Sequence, residues 1–297
     1  MVKRVLVTGA SGFIGGHITS ALKGRGDEVV VLTRGEAREG AIHWDPAAGE
    51  IDASALEGFD AVVHLAGATI AGLWTEKKKR EIIESRREGT RLVTEALAGL
   101  QNKPAVFVSS GAIGIYGSRG DELLTEDSGV GEGFLAEVVD EWEKAAQPAR
   151  DAGIRTVNLR VGLVVGKDGG MMKPMMLPFK LGVGGKLGSG EQWWSWVTID
   201  DVTRAFLFAI DNPDADGAYN VAAPNPVTNA EFTKTFGSVI HRPTILPAPK
   251  FALKTVAGEM ADEMLLASQR IDSSKLRSAG FEFGDTDLGS ALDRLFG

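Results

Sequence analysis

The residues of this chain best suited to holding a charged ligand lie almost at its start. In "VTGASGFIGGHI" (residues 7–18), Gly9, Gly12 and Gly15 recur at every third position. The run Val5-Leu6-Val7 before them reads as a short buried strand, and Phe13 to Leu22 after them reads as a helix. A strand-to-helix turn of this kind presents unpaired backbone N–H groups and a partial positive charge, and both suit a phosphate. In a dinucleotide site the first glycine permits the tight turn and the second lets a pyrophosphate reach the backbone. The third lets the helix pack closely on the strand.

The next charged candidate ends the second strand, "DEVVVLTRG" (residues 27–35). An NAD site usually places an acid here against the ribose 2′-hydroxyl. Arg34 stands there instead, and an arginine accepts a 2′-phosphate through paired, charge-assisted hydrogen bonds worth about 1.5–3 kcal/mol. NADP is therefore the favoured dinucleotide, with Arg38 adding charge. The competing reading is a solvated loop arginine paired with Glu36. Other chemistry is thinner. With no cysteine, disulfides, thiol nucleophiles and thiolate metal sites are excluded. His64 has no second histidine or paired acid near it in sequence and reads as a packed core histidine, and no metal-binding spacing occurs.

These residues need a scaffold, and the chain alternates strand-like apolar runs with helical periodicity through its first two-thirds. That is the pattern of a parallel sheet covered by helices on both faces. Strands are predicted at 4–8, 28–33, 61–65, 105–109, 156–161 and 218–221. The clearest helices are 75–97, 134–152 and 199–210, the last capped by Asp200 or Asp201. Residues 166–190 change character, with many glycines and Met171, Met172, Met175 and Met176, so they read either as a flap around a ligand or as core. Trp193, Trp194 and Trp196 form either an aromatic wall for a planar ligand or packing between lobes. Past Arg242, Pro243, Pro247 and Pro249 mark a linker. The expected fold is α/β: a Rossmann-type doubly wound parallel sheet over residues 1–242, with part of a substrate cleft at about 166–198. A small, mostly helical C-terminal domain follows at 243–297.

A chain of 297 residues with 43% hydrophobic and 24% charged residues is long enough for one large domain and a small one. Its formal charge of −8 argues against a general affinity for nucleic acid or for anionic membrane. The tract Lys77-Lys78-Lys79-Arg80 is interleaved with Glu76, Glu81 and Glu84 and reads as a solvated helix face. The opening "MVKRVLVTGASG" is too short and too early broken by glycine for a signal peptide, and no run reaches the length of a membrane span. A cytoplasmic protein acting on a small-molecule substrate is the default expectation.

In order and spacing, "TGASGFIG" (8–15), "VVHLAG" (62–67), "VSS" (108–110) followed by "IYG" (115–117), "LRVGLVVG" (159–166) and "WVTIDDV" (196–202) resemble the extended short-chain dehydrogenase/reductases, which include nucleotide-sugar epimerases and dehydratases. A narrower match, in "GFLAEVVDEWEKAA", "GGKLGSGEQWWSWVTIDD", "PVTNAEF" and "RIDSSKLRSAGFEF", resembles an atypical branch labelled epimerase-family proteins, which carries a small C-terminal domain of unknown function. The resemblance implies a nicotinamide dinucleotide across the carboxyl ends of the strands. Gly9, Ser11, Gly12, Phe13 and Ile14 would hold its pyrophosphate, and Leu65, Ala66 and Gly67 would pass the adenine-side ribose. Ser109 and Ser110 would lie near the nicotinamide. Arg86 and Arg160 match positions where the branch carries arginine, facing an anionic ligand or the cofactor.

The same resemblance exposes a gap. Typical members trade the substrate proton through a tyrosine, with a lysine four residues on that lowers its pKa. Here Gly120 follows Tyr116 at that distance and Ala223 follows Tyr219; on the helix that should carry the pair stand Phe134 and Val138. The usual serine position falls on Gly111, leaving Ser110 and Ser109 as the nearest hydroxyls. Three readings stay open: another donor (Tyr116, or Glu137 or Glu143), a conjugated acceptor that needs little proton assistance, or a non-catalytic NADP(H)-dependent sensor or partner-binding protein. Relatives often form a homodimer through the two helices at 75–97 and 134–152. Leu135, Val138, Val139 and Trp142 fit either that seam or intramolecular packing.

Overall fold

The computed structural model describes residues 2–297. In its first half, β1 (Arg4–Thr8), α1 (Phe13–Gly24), β2 (Glu28–Thr33), β3 (Ala41–Asp45), β4 (Glu50–Ile51), β5 (Ala61–His64), α2 (Glu76–Ala98) and β6 (Val106–Ala112) are followed by β7 (Leu123–Leu124), α3 (Phe134–Lys144) and α4 (Gln147–Asp151). The second half runs β8 (Arg155–Val161), β9 (Leu163–Gly166), β10 (Gly169–Gly170), α5 (Met172–Lys180), β11 (Trp193–Trp194), β12 (Trp196–Thr198), α6 (Ile199–Asp211), β13 (Gly217–Val221), β14 (Val227–Thr228), α7 (Asn229–Val239), α8 (Lys250–Ala257), β15 (Arg270–Ile271), α9 (Ser274–Ser278) and α10 (Leu288–Phe296).

The eight-stranded sheet has the order β13-β8-β6-β5-β1-β2-β3-β4, and only the β3–β4 pairing is antiparallel. From β1 the chain winds outward through β2 and β3, then returns to β5 and winds the other way. The sheet therefore reverses direction between β1 and β5, where loops diverge and leave a crevice. Alternation along each strand feeds two cores. Val5, Val7, Val63, Val108 and Leu159 pack against Ile18 and Leu22 of α1 and Phe206 of α6. Leu6, Val62 and Phe107 pack on the other face, against Val93 and Leu97 of α2.

Three expectations are corrected. The predicted helix 134–152 is two helices, because Pro148 lacks an N–H and its ring cannot stack behind the carbonyl of Lys144, four residues earlier. Helix α6 is capped by Thr198, whose hydroxyl accepts from the Asp201 N–H, while the Asp201 carboxylate instead accepts from Gly284 and Asp285 N–H and pairs with Arg204. Finally, β6 runs on to Ala112, so Ser109 and Ser110 lie inside the strand.

The methionine-rich segment joins a third core. Met172, Phe179, Trp194 and Trp196 pack with Phe232 and Phe236 of α7 and Leu292 of α10, and Met171, Met175 and Met176 lie against them. Two of the three tryptophans thus fasten parts of the fold together. The half-buried Trp193 donates its indole N–H to Asp121. The apolar residues of α3 are likewise consumed within the chain: Val138 packs with Ile82 of α2, Val139 lies in a separate small cluster, and Trp142 is stacked under Arg86. Among the described residues no helix is long and apolar enough to cross a membrane.

Candidate functional site

The glycine turn has the geometry its spacing predicts. Gly9 sits at φ +68°, and an added Cβ would lie 2.8 Å from the Leu65 carbonyl carbon on β5's extension. The Gly12 N–H closes the turn on the Gly9 carbonyl at 3.0 Å. Gly12 is the N-cap of α1 and offers no side-chain acceptor, and the helix has no acidic residue in its first turn. Its first N–H groups are therefore left for an external anion. Around this turn opens a cleft of about 1390 Å³. That exceeds the ~300–1,000 Å³ of most small-molecule pockets.

Of the residues picked out by sequence, Gly9, Ser11, Gly12, Arg34, Leu65, Ala66 and Gly67 line this cleft, together with Arg38. Both arginines are exposed and, among the described residues, neither forms an ion pair; the Glu36 partnership is not made. Trp44, Ser85 and Glu88 also line the cleft and were missed, since nothing in their local sequence points to a ligand. Phe13 and Ile14 are placed differently. The Phe13 ring turns away to fill the space over Gly166, Gly169 and Gly170, where any Cβ would overlap or crowd it, and Ile14 packs against the α1-side core.

The cleft's far wall is held from below by a buried histidine. The Thr8 hydroxyl oxygen accepts from the Leu65 and Ala66 N–H groups at 3.0 and 3.1 Å, so its own proton goes to His64 Nδ1, 3.0 Å away. His64 must then carry its proton on Nε2, which donates to the Thr90 hydroxyl of α2 at 2.9 Å. Burial, reinforced by the Arg86 charge, pushes the His64 pKa down to about 3. Arg86 itself is a correction. Its guanidinium donates to the carbonyls of Ala68 and Ile82 and stacks on Trp142, so it braces the 67–68 loop from behind and does not line the cleft. Gly67 makes room for it, since a Cβ there would meet the Arg86 Cζ at 3.0 Å. Without a carboxylate partner, the buried guanidinium has its pKa lowered to about 10.

Where a relay would stand, the chemistry is inert. The Phe134 ring meets Trp74 edge-on, with Lys79 Nζ 5.1 Å from its centroid, and Val138 is buried. Tyr116 is fully enclosed by Ile113, Leu124, Val139 and Ile271. Its hydroxyl donates to Asn220 Oδ1 at 2.7 Å and accepts from Arg160 Nη1 at 2.9 Å. Burial raises its pKa, so Tyr116 is placed as a structural phenol rather than a donor open to the cleft. Arg160 donates to both Glu143 oxygens at 2.8 Å, so the two side chains engage each other within the fold. Glu137 is exposed. Ser109 and Ser110 make only long bonds, 3.3 Å, to neighbouring carbonyls, and Ser110 is half-buried within β6.

One supporting contact left no signal in the sequence. Glu263, in a π-helical turn at Ala261–Leu265, accepts from the Phe134 and Leu135 N–H groups at 2.8 and 2.7 Å and so caps α3 from 129 residues away. Gly133, at φ +109°, leaves room for the carboxylate. Replacing Glu263 by alanine is expected to cost about 1–2 kcal/mol, the usual worth of an N-cap. A urea midpoint at neutral pH reads this directly, and an unchanged midpoint would show that the cap is not made in solution.

A doubly wound parallel sheet with its main cleft at the switch point defines a Rossmann-type fold. The chain belongs to the NAD dependent epimerase/dehydratase family, whose signature matches residues 5–222, and residues 248–295 match a domain of unknown function, DUF1731. It is 40% identical to the epimerase family protein Mb2239 of Mycobacterium bovis, over 97% of this chain and 96% of that one. Among solved structures, the human epimerase family protein SDR39U1 (isoform 2) with NADPH superposes with a TM-score of 0.90 at 34% identity, covering 98% of both chains. A nucleoside-diphosphate sugar epimerase from Corynebacterium glutamicum gives 0.82 at 36% identity, over all of this chain and 59% of that one.

Proposed function

We propose that this chain holds NADPH across the carboxyl ends of β1 and β5 and uses it on a small molecule, as an oxidoreductase or epimerase-like enzyme without a Tyr-x-x-x-Lys relay. The observation that carries this reading is the convergence on one cleft of an uncapped helix start and two unpaired arginines. The first suits the pyrophosphate and the second the 2′-phosphate. The relative solved with NADPH supports the same choice of dinucleotide. When bound, the nicotinamide supplies or accepts hydride. Ser110, the half-buried hydroxyl in the C-terminal half of β6, is the chain's own group for polarising the substrate oxygen.

A second reading, a non-catalytic NADP(H)-dependent sensor or partner-binding protein, draws on the engagement of the Tyr116 hydroxyl and the apolar residues at 134 and 138. Loss of NADPH absorbance with small carbonyl compounds or conjugated acceptors favours the enzyme. Tight binding with no turnover across such a panel favours the sensor.

The cofactor assignment is tested by titrating NADPH and NADH into wild type and Arg34→Ala, following energy transfer from tryptophan to nicotinamide. NADPH is expected to bind at least about tenfold more tightly than NADH, as one charge-assisted pair would provide, and Arg34→Ala should remove most of that preference. Failure of both nucleotides to bind in the micromolar range would overturn the assignment.

A further inference from the structure

A second cavity lies away from the cofactor cleft and shares no residue with it. It is a groove of about 600 Å³ between the β9–β10 turn, α5, the end of α7 and the end of α10. Its floor is apolar, made by Met176, Leu295 and Phe296, which are partly or wholly buried. Its rim carries three cations, Lys167, Lys180 and Arg242, with the His241 ring beside them, all exposed; the terminal residue Gly297 also lines the groove, and no aspartate or glutamate side chain does.

Two features separate this groove from an ordinary patch of surface. The chain carries 40 acidic against 32 basic residues, and about half of its lysines and arginines pair with a carboxylate, as Lys79 does with Glu259, Lys144 with Asp140 and Arg294 with Asp285. Among the described residues none of the four rim groups pairs with a carboxylate. Such gathering of like charge costs repulsion that a bound anion relieves. Arg242 is also held in place. Arg242 Nε donates to the Lys180 carbonyl at 3.0 Å and Nη1 to the His241 carbonyl at 3.2 Å, which fixes the guanidinium over the groove without neutralising it. His241 is the one non-glycine residue among those described with a left-handed backbone, at φ +53°. This conformation persists where the surroundings enforce it.

We propose that this groove binds an amphiphilic anion: a carboxylate or phosphate head seated among Lys167, Lys180 and Arg242, with an apolar tail on Met176, Leu295 and Phe296. The volume falls in the ~300–1,000 Å³ range of small-molecule sites. The alternation of apolar floor and charged rim is the composition such a ligand needs. The site is independent of the NADPH reading, since none of its residues touches the cleft.

Isothermal titration calorimetry tests this on wild type and on the double variant Lys167→Gln/Lys180→Gln, using decanoate and decyl phosphate below their micellar concentrations. Inorganic phosphate and decyltrimethylammonium serve as head-only and opposite-charge probes. Binding of either decyl anion, weakened at least tenfold in the double variant, is the expected result, and the stronger of the two identifies the head group. An unchanged urea midpoint in the double variant confirms that the loss is local. Equal binding of inorganic phosphate would overturn the apolar subsite, and equal binding of decyltrimethylammonium would overturn the anionic one. No binding of either anion, or binding unaffected by the double substitution, would overturn the site.

Discussion

Gly15→Ala is expected to reduce NADPH affinity about a hundredfold or more and to lower stability, whereas Gly16→Ala, one residue on, should leave affinity intact. A Cβ on Gly15 would overlap the Gly9 carbonyl oxygen and come within 2.9 Å of the Gly9 carbonyl carbon and 3.0 Å of Ala10 Cα. All three are backbone atoms of the turn itself, so no rotamer change relieves the clash. Either α1 lifts off β1 or the turn opens, and both move the N–H groups away from their common focus. Overpacking of this kind costs about 1–3 kcal/mol in well-packed sites, and a hundredfold loss of affinity corresponds to roughly 3 kcal/mol. On Gly16 the nearest atom to a new Cβ is the Ala10 carbonyl oxygen at 3.8 Å, an ordinary contact. Removing a helix-interior glycine should there add up to about 1 kcal/mol of stability. Nucleotide titration and urea unfolding of the two variants side by side separate the effects. Equal behaviour of the pair would mean that close approach of α1 to the turn does not matter.

The second large effect is a loss of stability in mild acid that originates at His64. In the folded chain its pKa is pushed down to about 3 from an ordinary 6.5, because the ring is buried and lies near the Arg86 charge. Above pH 6.5 both folded and unfolded chains carry it neutral, and its contribution is fully present. As pH falls below 6.5 the unfolded chain takes up a proton that the folded chain refuses. The folding constant then drops by up to about tenfold per pH unit until the folded pKa is reached. His64→Gln keeps a donor and an acceptor but no titration. It is expected to be less stable at pH 7.5, having lost the stacking on Phe107, yet to show a shallower decline between pH 6 and pH 4.5. Carboxylates common to both proteins cancel in the difference. Parallel pH profiles from urea unfolding would remove His64 as the origin.

What could be read from the chain alone followed the range of the interactions involved. The glycine turn, the parallel strands and α2 are set by local periodicity and by backbone requirements within a few residues, and these are written consecutively. Pro148 was equally local, but the apolar spacing that continues past it masked the break between α3 and α4. The site's supporting contacts are of another kind. Tyr116 reads as an available phenol because Asn220, which takes its proton, is 104 residues away and Arg160 is 44 away. Arg86 reads as a ligand-facing cation because nothing nearby in sequence shows that the carbonyl of Ala68 will claim it. In each case residue type announced a capacity, and tertiary contacts decided whether it was spent inside the fold or left for a ligand.

The reach of the last sixty residues back into the first lobe bears on how the molecule is made. Glu263 closes the start of α3, Gln269 Nε2 donates to the carbonyls of Ile113 and Gly117, and β15 adds to β7. During synthesis the sheet up to β13 can assemble while these partners are still inside the ribosome, since domains generally fold from the N-terminus as they emerge. The nucleotide cleft, built by residues 9–88, is then complete early. The start of α3 at Phe134 and the turn after β6 wait for the final segment. A nascent or C-terminally clipped chain would thus present the cleft of residues 9–88 while lacking the contacts that fix the start of α3 and the turn after β6.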